Sequence, residues 1–186
     1  MALLYLIRHA KTPGNEQKKY IGSTDESLSE AGAAALEELI RRGVYPAAGA
    51  VYASPMKRCR ETARRIYPGV PVQIVPGFAE LNFGPFEGKT YEDLKDDPVY
   101  REWIGSGGSM SIPGGGDVGR FKADSLAAFE KTAAEILANG LSCAAAVLHG
   151  GTIMAVMERY APEKRPFYDW QVKNCGGYRL TLDKAA

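Results

Sequence analysis

The opening stretch constrains this chain more than any other. Leu3-Leu4-Tyr5-Leu6-Ile7 is an unbroken apolar run that stops abruptly at Arg8-His9. Such a run is too short to span a membrane and too uniformly apolar for a strand with one wet face. It reads as an interior strand covered on both sides, as in α/β sheets. Ligands of open α/β sheets sit beyond the carboxyl ends of the strands. Arg8 and His9 are therefore expected at the floor of a site.

A second apolar run, Cys143-Ala144-Ala145-Ala146-Val147-Leu148, also stops at a histidine, His149. The chain contains 2 histidines, so both occupy the same position relative to an apolar strand. Between them, periodicity predicts helices over about 29–42, capped by Ser29, over 56–67 after Pro55, and over 117–138 with an amphipathic stripe. Strands are expected at 48–54 and 70–75, an outer strand at 177–182, and a helix at 153–160. Alternating strands and helices give an α/β fold, a sandwich around a mostly parallel sheet. The polar stretch Lys11–Leu28 reads as a long, functional loop. Residues 77–119 change character, with many aromatics and the glycine runs Gly105-Ser106-Gly107-Gly108 and Pro113-Gly114-Gly115-Gly116. That stretch reads as an insertion, helical at 91–95 and 99–104, capping the strand ends. Neither glycine run matches a P-loop or a dinucleotide fingerprint.

With 186 residues, one domain spanning 1–186 is expected. A net charge of +1 argues against a nucleic-acid partner. No apolar stretch is long enough for a membrane span and no signal peptide is visible, so a soluble, cytoplasmic protein is expected. The 3 cysteines are widely spaced and match neither a zinc motif nor a disulfide framework. No sequence feature specifies an oligomeric state.

Arg58 lies just past the second strand, so two guanidiniums and two imidazoles can share one crevice. Arginine forks match phosphate oxygens, and the His149-Gly150-Gly151 turn adds the N–H groups of a helix start. This set suits a compact dianion such as a phosphoryl group, whose transfer relies on positioning and charge stabilisation. His9 beside Arg8 should stay neutral and nucleophilic. Glu80, after the third strand, is the acid expected to protonate a departing alkoxide.

Several motifs now point the same way. Arg8-His9-Ala10-Lys11-Thr12 resembles the RHG signature of the histidine phosphatase (phosphoglycerate mutase-like) superfamily. Gly22, Asp25, Leu28, Ser29 and Gly32 fall at its following conserved-type spacing, and Ser54-Pro55-Met56-Lys57-Arg58 with Thr62-Ala63 resembles its SPLxR…TA element. Glu80–Gly88 is similar to its ExxFGxxEG element and Leu148-His149-Gly150-Gly151 to its final HGG. The resemblance implies a three-layer α/β/α sandwich with an inserted cap. It implies His9 as the nucleophile of a phosphohistidine mechanism, with Glu80 as proton donor and then water-activating base. Arg8, Arg58, Asn15, His149 and Gly150 would hold the phosphate, with no metal and no cofactor.

The nearest branch is that of α-ribazole and broad-specificity phosphatases, acting on a small phosphate ester. A phosphoglycerate mutase and a non-catalytic binding module are the alternatives. Three departures stand out: Ala10 replaces the signature glycine, Gly116-Asp117 stands where a Glu-Ser pair is frequent, and Met154 where an arginine is.

Overall fold

A computed structural model of the chain describes residues 1–107 and 109–183. Gly108, in the first glycine run, lies outside the described residues, as do 184–186. In chain order the elements are β1 (Ala2–Arg8), α1 (Pro13–Glu16), α2 (Glu30–Arg41), β2 (Ala50–Ala53), α3 (Lys57–Ile66) and β3 (Val72–Ile74). Then follow α4 (Tyr91–Leu94), α5 (Pro98–Gly105), α6 (Val118–Ala138), β4 (Cys143–Leu148), α7 (Gly150–Tyr160) and β5 (Gly177–Leu182). Short 3₁₀ turns occur at Pro76–Phe78, Gly84–Phe86 and Phe167–Trp170.

The sheet order is β3-β2-β4-β1-β5, parallel except for β5, which runs antiparallel beside β1. Successive strand residues point to opposite faces, and both faces here are buried. Leu4, Leu6, Tyr52, Ala144, Ala146 and Leu148 pack with Phe129 and Ile136 of α6 and with Ile153 and Val156 of α7. Ile7, Val51, Ala53, Ala145 and Val147 pack with Leu36 of α2 and with Cys59, Ala63 and Ile66 of α3. The result is three layers, which explains why β1 and β4 read as continuous apolar runs. Each fully buried Leu contributes about 1.5–3 kcal/mol over exposure. A separate small core of Leu81, Phe86, Leu94, Tyr100, Trp103 and Ile112 lies in the segment between β3 and α6.

Strand register positions the site. Arg8 pairs with Leu148, and the His9 amide donates to the Leu148 carbonyl at 3.0 Å. Ala53 pairs with Val147, and the Ser54 amide donates to the Val147 carbonyl at 3.1 Å. Three neighbouring parallel strands thus end in one row, carrying His9, His149 and Ser54 to the same edge.

Two elements differ from expectation. Residues 13–16 form a helical turn inside the expected loop, because Thr12 and Asn15 make a capping box and Pro13 sits in its first turn. Helix α7 starts at Gly150 instead of near Ile153, with extended His149 as its N-cap residue. Glycine's low helix propensity is overridden there by the packing of Thr152, Ile153 and Val156, all fully buried. Among the described residues, no helix is long and apolar enough to cross a membrane.

Candidate functional site

His9 leaves β1 into the row of strand ends and is buried. Its Nδ1 lies 2.7 Å from the Ala10 carbonyl. A carbonyl can only accept, so Nδ1 carries the proton and Nε2 keeps the lone pair. The Ala10 amide donates to Thr62 Oγ1 at 3.0 Å, and Asn174 Nδ2 donates to the His9 carbonyl at 2.9 Å. The residue is thereby clamped on both sides. Ala10 itself has no positive φ, so its Cβ costs no backbone strain where the family motif has glycine.

His149 sits beside it, with ring centroids 5.3 Å apart at 65°. Arg58 Nε donates to His149 Nδ1 at 3.3 Å, which leaves Nε2 as the protonated nitrogen facing Ser54 Oγ at 2.6 Å. Arg58 is fully buried and reached by α3 from below. Its NH1 and NH2 donate to the carbonyls of Thr24 and Gly22, each at 2.8 Å. Of its five N–H donors, two remain unused. The Gly22–Thr24 segment is held in turn by Glu87, which accepts from the amides of Gly22, Ser23 and Phe83 and from the Thr24 hydroxyl. Burial would raise the Glu87 carboxyl, and these donors outweigh it and hold it below its ordinary value.

Arg8 turns the other way, its NH1 donating to the Val172 carbonyl at 2.7 Å. Its Nε is buried without a partner, next to Gly150. Burial, partly countered by Glu80, lowers the guanidinium from its ordinary value. Asn15 Oδ1 accepts from the Thr12 amide and from Asn174 Nδ2, both at 3.3 Å, which turns its own Nδ2 donors outward. Glu80 spans the gap to α7: one oxygen accepts from the Gly151 amide and the other from its neighbour Leu81, each at 3.0 Å.

The electrostatics follow from crowding. Burial, then Arg58 and Arg8, pushes His9 down to about 3, even though its bond to Ala10 works the other way. Burial, then Arg58 and His9, lowers His149 well below the usual imidazole range. Burial raises Glu80, and its backbone donors and the two arginines only partly oppose this. The site thus holds neutral imidazoles beside a carboxyl inclined to keep its proton.

A cavity of about 300 Å³ opens above these groups. Arg8, His9, Asn15, Glu80 and Gly150 line it, while Arg58 and His149 pack directly behind His9 and do not. All seven residues expected from the sequence are brought together, in two ranks. Lys19, Tyr20 and Trp103 also line the cavity; Lys18, Tyr91, Tyr100 and Arg101 do not. Met154 lines it, and Asp117 instead caps α6 by accepting from the Arg120 amide. Sequence reasoning gave no role to Ser54, Thr62 or Asn174. For Ser54, the signal was its place at the end of β2, one register step from His149. No group of three or more His, Cys, Asp or Glu able to hold a metal occurs among the described residues.

A family model described as "Histidine phosphatase superfamily (branch 1)" matches residues 4–186. The adenosylcobalamin/alpha-ribazole phosphatase of Salmonella typhimurium is 34% identical over 107 residues, 54% of this chain and 52% of that one. A broad-specificity phosphatase of Saccharomyces cerevisiae is 28% identical over 164 residues, 83% of this chain and 68% of that one. The match thus spans about half the length of the Salmonella relative. A phosphoserine phosphatase mutant from Entamoeba histolytica, solved in complex with phosphoserine, superposes with a TM-score of 0.81. It is 25% identical, and the match covers 98% of this chain and 92% of that one. The phosphatase names of these relatives support phosphatase activity.

Proposed function

The chain belongs to the histidine phosphatase superfamily, and from that premise we propose that it is a phosphomonoesterase acting on a small phosphate ester through a phosphohistidine at His9. One observation above all supports this reading. The Ala10 carbonyl accepts a hydrogen bond from Nδ1–H of His9, which leaves the Nε2 lone pair of a neutral ring in the cavity wall, beside an Arg8 Nε that is buried without a partner.

The chemistry runs in two steps. Nε2 of His9 attacks phosphorus as the ester oxygen departs, and Glu80 gives that oxygen its proton. Water then attacks the phosphohistidine, and Glu80, now a carboxylate, takes the water's proton as phosphate leaves. Arg8, Asn15 and the amide of Gly150 hold the phosphoryl oxygens from the cavity side. Arg58, with its two unused donors, and His149 complete the pocket from behind His9. Charge that spreads over the equatorial oxygens meets Arg8, already fixed by the Val172 carbonyl, while Arg58, fixed by the Gly22 and Thr24 carbonyls, adds its positive charge from behind His9, so little reorganisation is needed. The raised carboxyl of Glu80 suits an acid, and the lowered His9 suits a nucleophile.

The purified protein should release inorganic phosphate from alkyl and aryl phosphate monoesters and should not interconvert 3-phosphoglycerate and 2-phosphoglycerate. Isomerisation without phosphate release would make it a mutase, and binding of phosphate esters without turnover would make it a binding module.

A further inference from the structure

The part of the cavity beyond the phosphate groups has a distinct chemistry. Tyr20, Phe83 and Trp103 form one wall, and Phe121, Phe167 and Tyr168 contribute to the rest. The first three are already packed edge to face: Tyr20 and Trp103 rings lie 5.6 Å apart at 80°, Phe83 and Trp103 6.1 Å apart at 77°. Tyr20 is further tied to the buried Tyr100 by a hydroxyl–hydroxyl bond of 2.6 Å. A wall fixed in this way presents aromatic surface without the cost of ordering it on binding.

Charge on the lining is sparse and one-sided. Apart from the neutral His9, the acid and base side chains on the lining are Arg8, Lys19 and Glu80. Glu80 is the one carboxyl on the lining; two backbone amides hold it in place, and the acid role needs it protonated, so an ammonium group would meet no carboxylate anion there. Glu87, close in sequence, points instead into the Gly22–Thr24 segment and does not line the cavity. An ammonium carried on the substrate's alcohol would be desolvated there between the like charges of Arg8 and Lys19, with no anion besides the phosphate to offset them. A cavity of about 300 Å³ also lies at the small end of ligand sites, room for one ring rather than an extended molecule.

We propose that the alcohol portion of the substrate carries an apolar, planar aromatic ring and no cationic group, an arylalkyl phosphate. The ring lies against Trp103, Tyr20 and Phe83 while the phosphate sits over His9. This rests on the phosphomonoesterase reading and narrows it. It also separates the chain from its structural neighbour that was solved with phosphoserine, a zwitterionic alcohol.

The test compares kcat/KM for three primary alkyl esters: 2-phenylethyl phosphate, ethyl phosphate and O-phospho-L-serine. The expected result is a preference of tenfold or more for 2-phenylethyl over ethyl phosphate, with phosphoserine no better than ethyl phosphate. Phe121→Leu and Trp103→Leu should each reduce the phenylethyl-to-ethyl ratio, and a melting curve shows that each variant is folded. Equal rates on ethyl and phenylethyl phosphate, or a preference for phosphoserine, would overturn the substrate class and leave the phosphatase reading standing. No turnover of any of the three would remove both.

Discussion

Replacing Gly151 by alanine would test the proposed proton donor, Glu80, apart from the fold. Gly151 lies in the first turn of α7 with no positive φ, so alanine suits its backbone. Helix propensity alone would favour the change by about 1 kcal/mol. The added Cβ, however, would stand 2.3 Å from Glu80 Oε1 and 3.1 Å from Phe121 Cζ. Ordinary van der Waals contact begins near 3.4 Å, so the Glu80 oxygen must retreat by about 1 Å. The far end of a glutamate can move that far without disturbing the core, but Oε1 then leaves the Leu81 amide it accepts from, and the carboxyl leaves its place beside the ester oxygen. A misplacement of about 1 Å can cost roughly 10²-fold in rate, or about 2.7 kcal/mol. Gly151→Ala should therefore keep or raise the melting temperature and lower kcat on an alkyl phosphate by about 10²-fold. The loss should be much smaller on p-nitrophenyl phosphate, whose leaving group needs little protonation. Glu80→Gln should show the same pattern. Equal loss on both esters, or an unchanged alkyl rate, would refute the assignment of Glu80 as the acid.

Two further outcomes follow from the buried imidazoles. Ser54→Ala removes the group 2.6 Å from His149 Nε2 and leaves that buried nitrogen only the weak Cys59 sulfur at 3.5 Å, at a cost of about 1–3 kcal/mol; kcat should fall about 10-fold to 10²-fold with KM little changed, and wild-type kcat would contradict a role for Ser54 in positioning His149. Stability should fall on acidification. Between pH 6.5 and about 3 the unfolded chain takes up protons that folded His9 refuses, and His149 behaves alike. Each makes the fold less stable by up to about 1.4 kcal/mol per pH unit as pH drops through that window. Glu80, raised, works in the opposite sense from 4.5 up to its folded value and offsets part of one histidine. The melting temperature of the ligand-free protein should therefore drop from pH 7 to pH 5, and a flat or rising profile would contradict the burial of neutral histidines.

The sandwich and most of the site were legible in the chain for a physical reason. Strands buried on both faces must be apolar throughout, so β1 and β4 announce themselves and His9 and His149 mark where they end. What is carried by backbone geometry was not legible. The carbonyls of Gly22, Thr24 and Val172, which fix the two arginines, have no side-chain signature. Asn174 lies in a stretch without periodicity, before Cys175 with φ 66°, and reaches His9 only through the fold. The separation of the site into two ranks was hidden as well. Sequence spacing places Arg58 at the right strand end, but the capture of its fork by the 22–24 segment is what sets it behind His9. Glu87 illustrates the same limit, since a motif match names it while only its set of accepted amides explains it.

In the proposed reaction Nε2 of His9 is the atom that takes the phosphoryl group. Rapid acid-free quenching of the protein with a ³²P-labelled ester, followed by peptide mapping, measures this directly. Alkali-stable, acid-labile label should accumulate on His9 within the first turnover and be absent from folded His9→Ala. Label on another residue, or steady phosphate release from the His9→Ala protein, would contradict it.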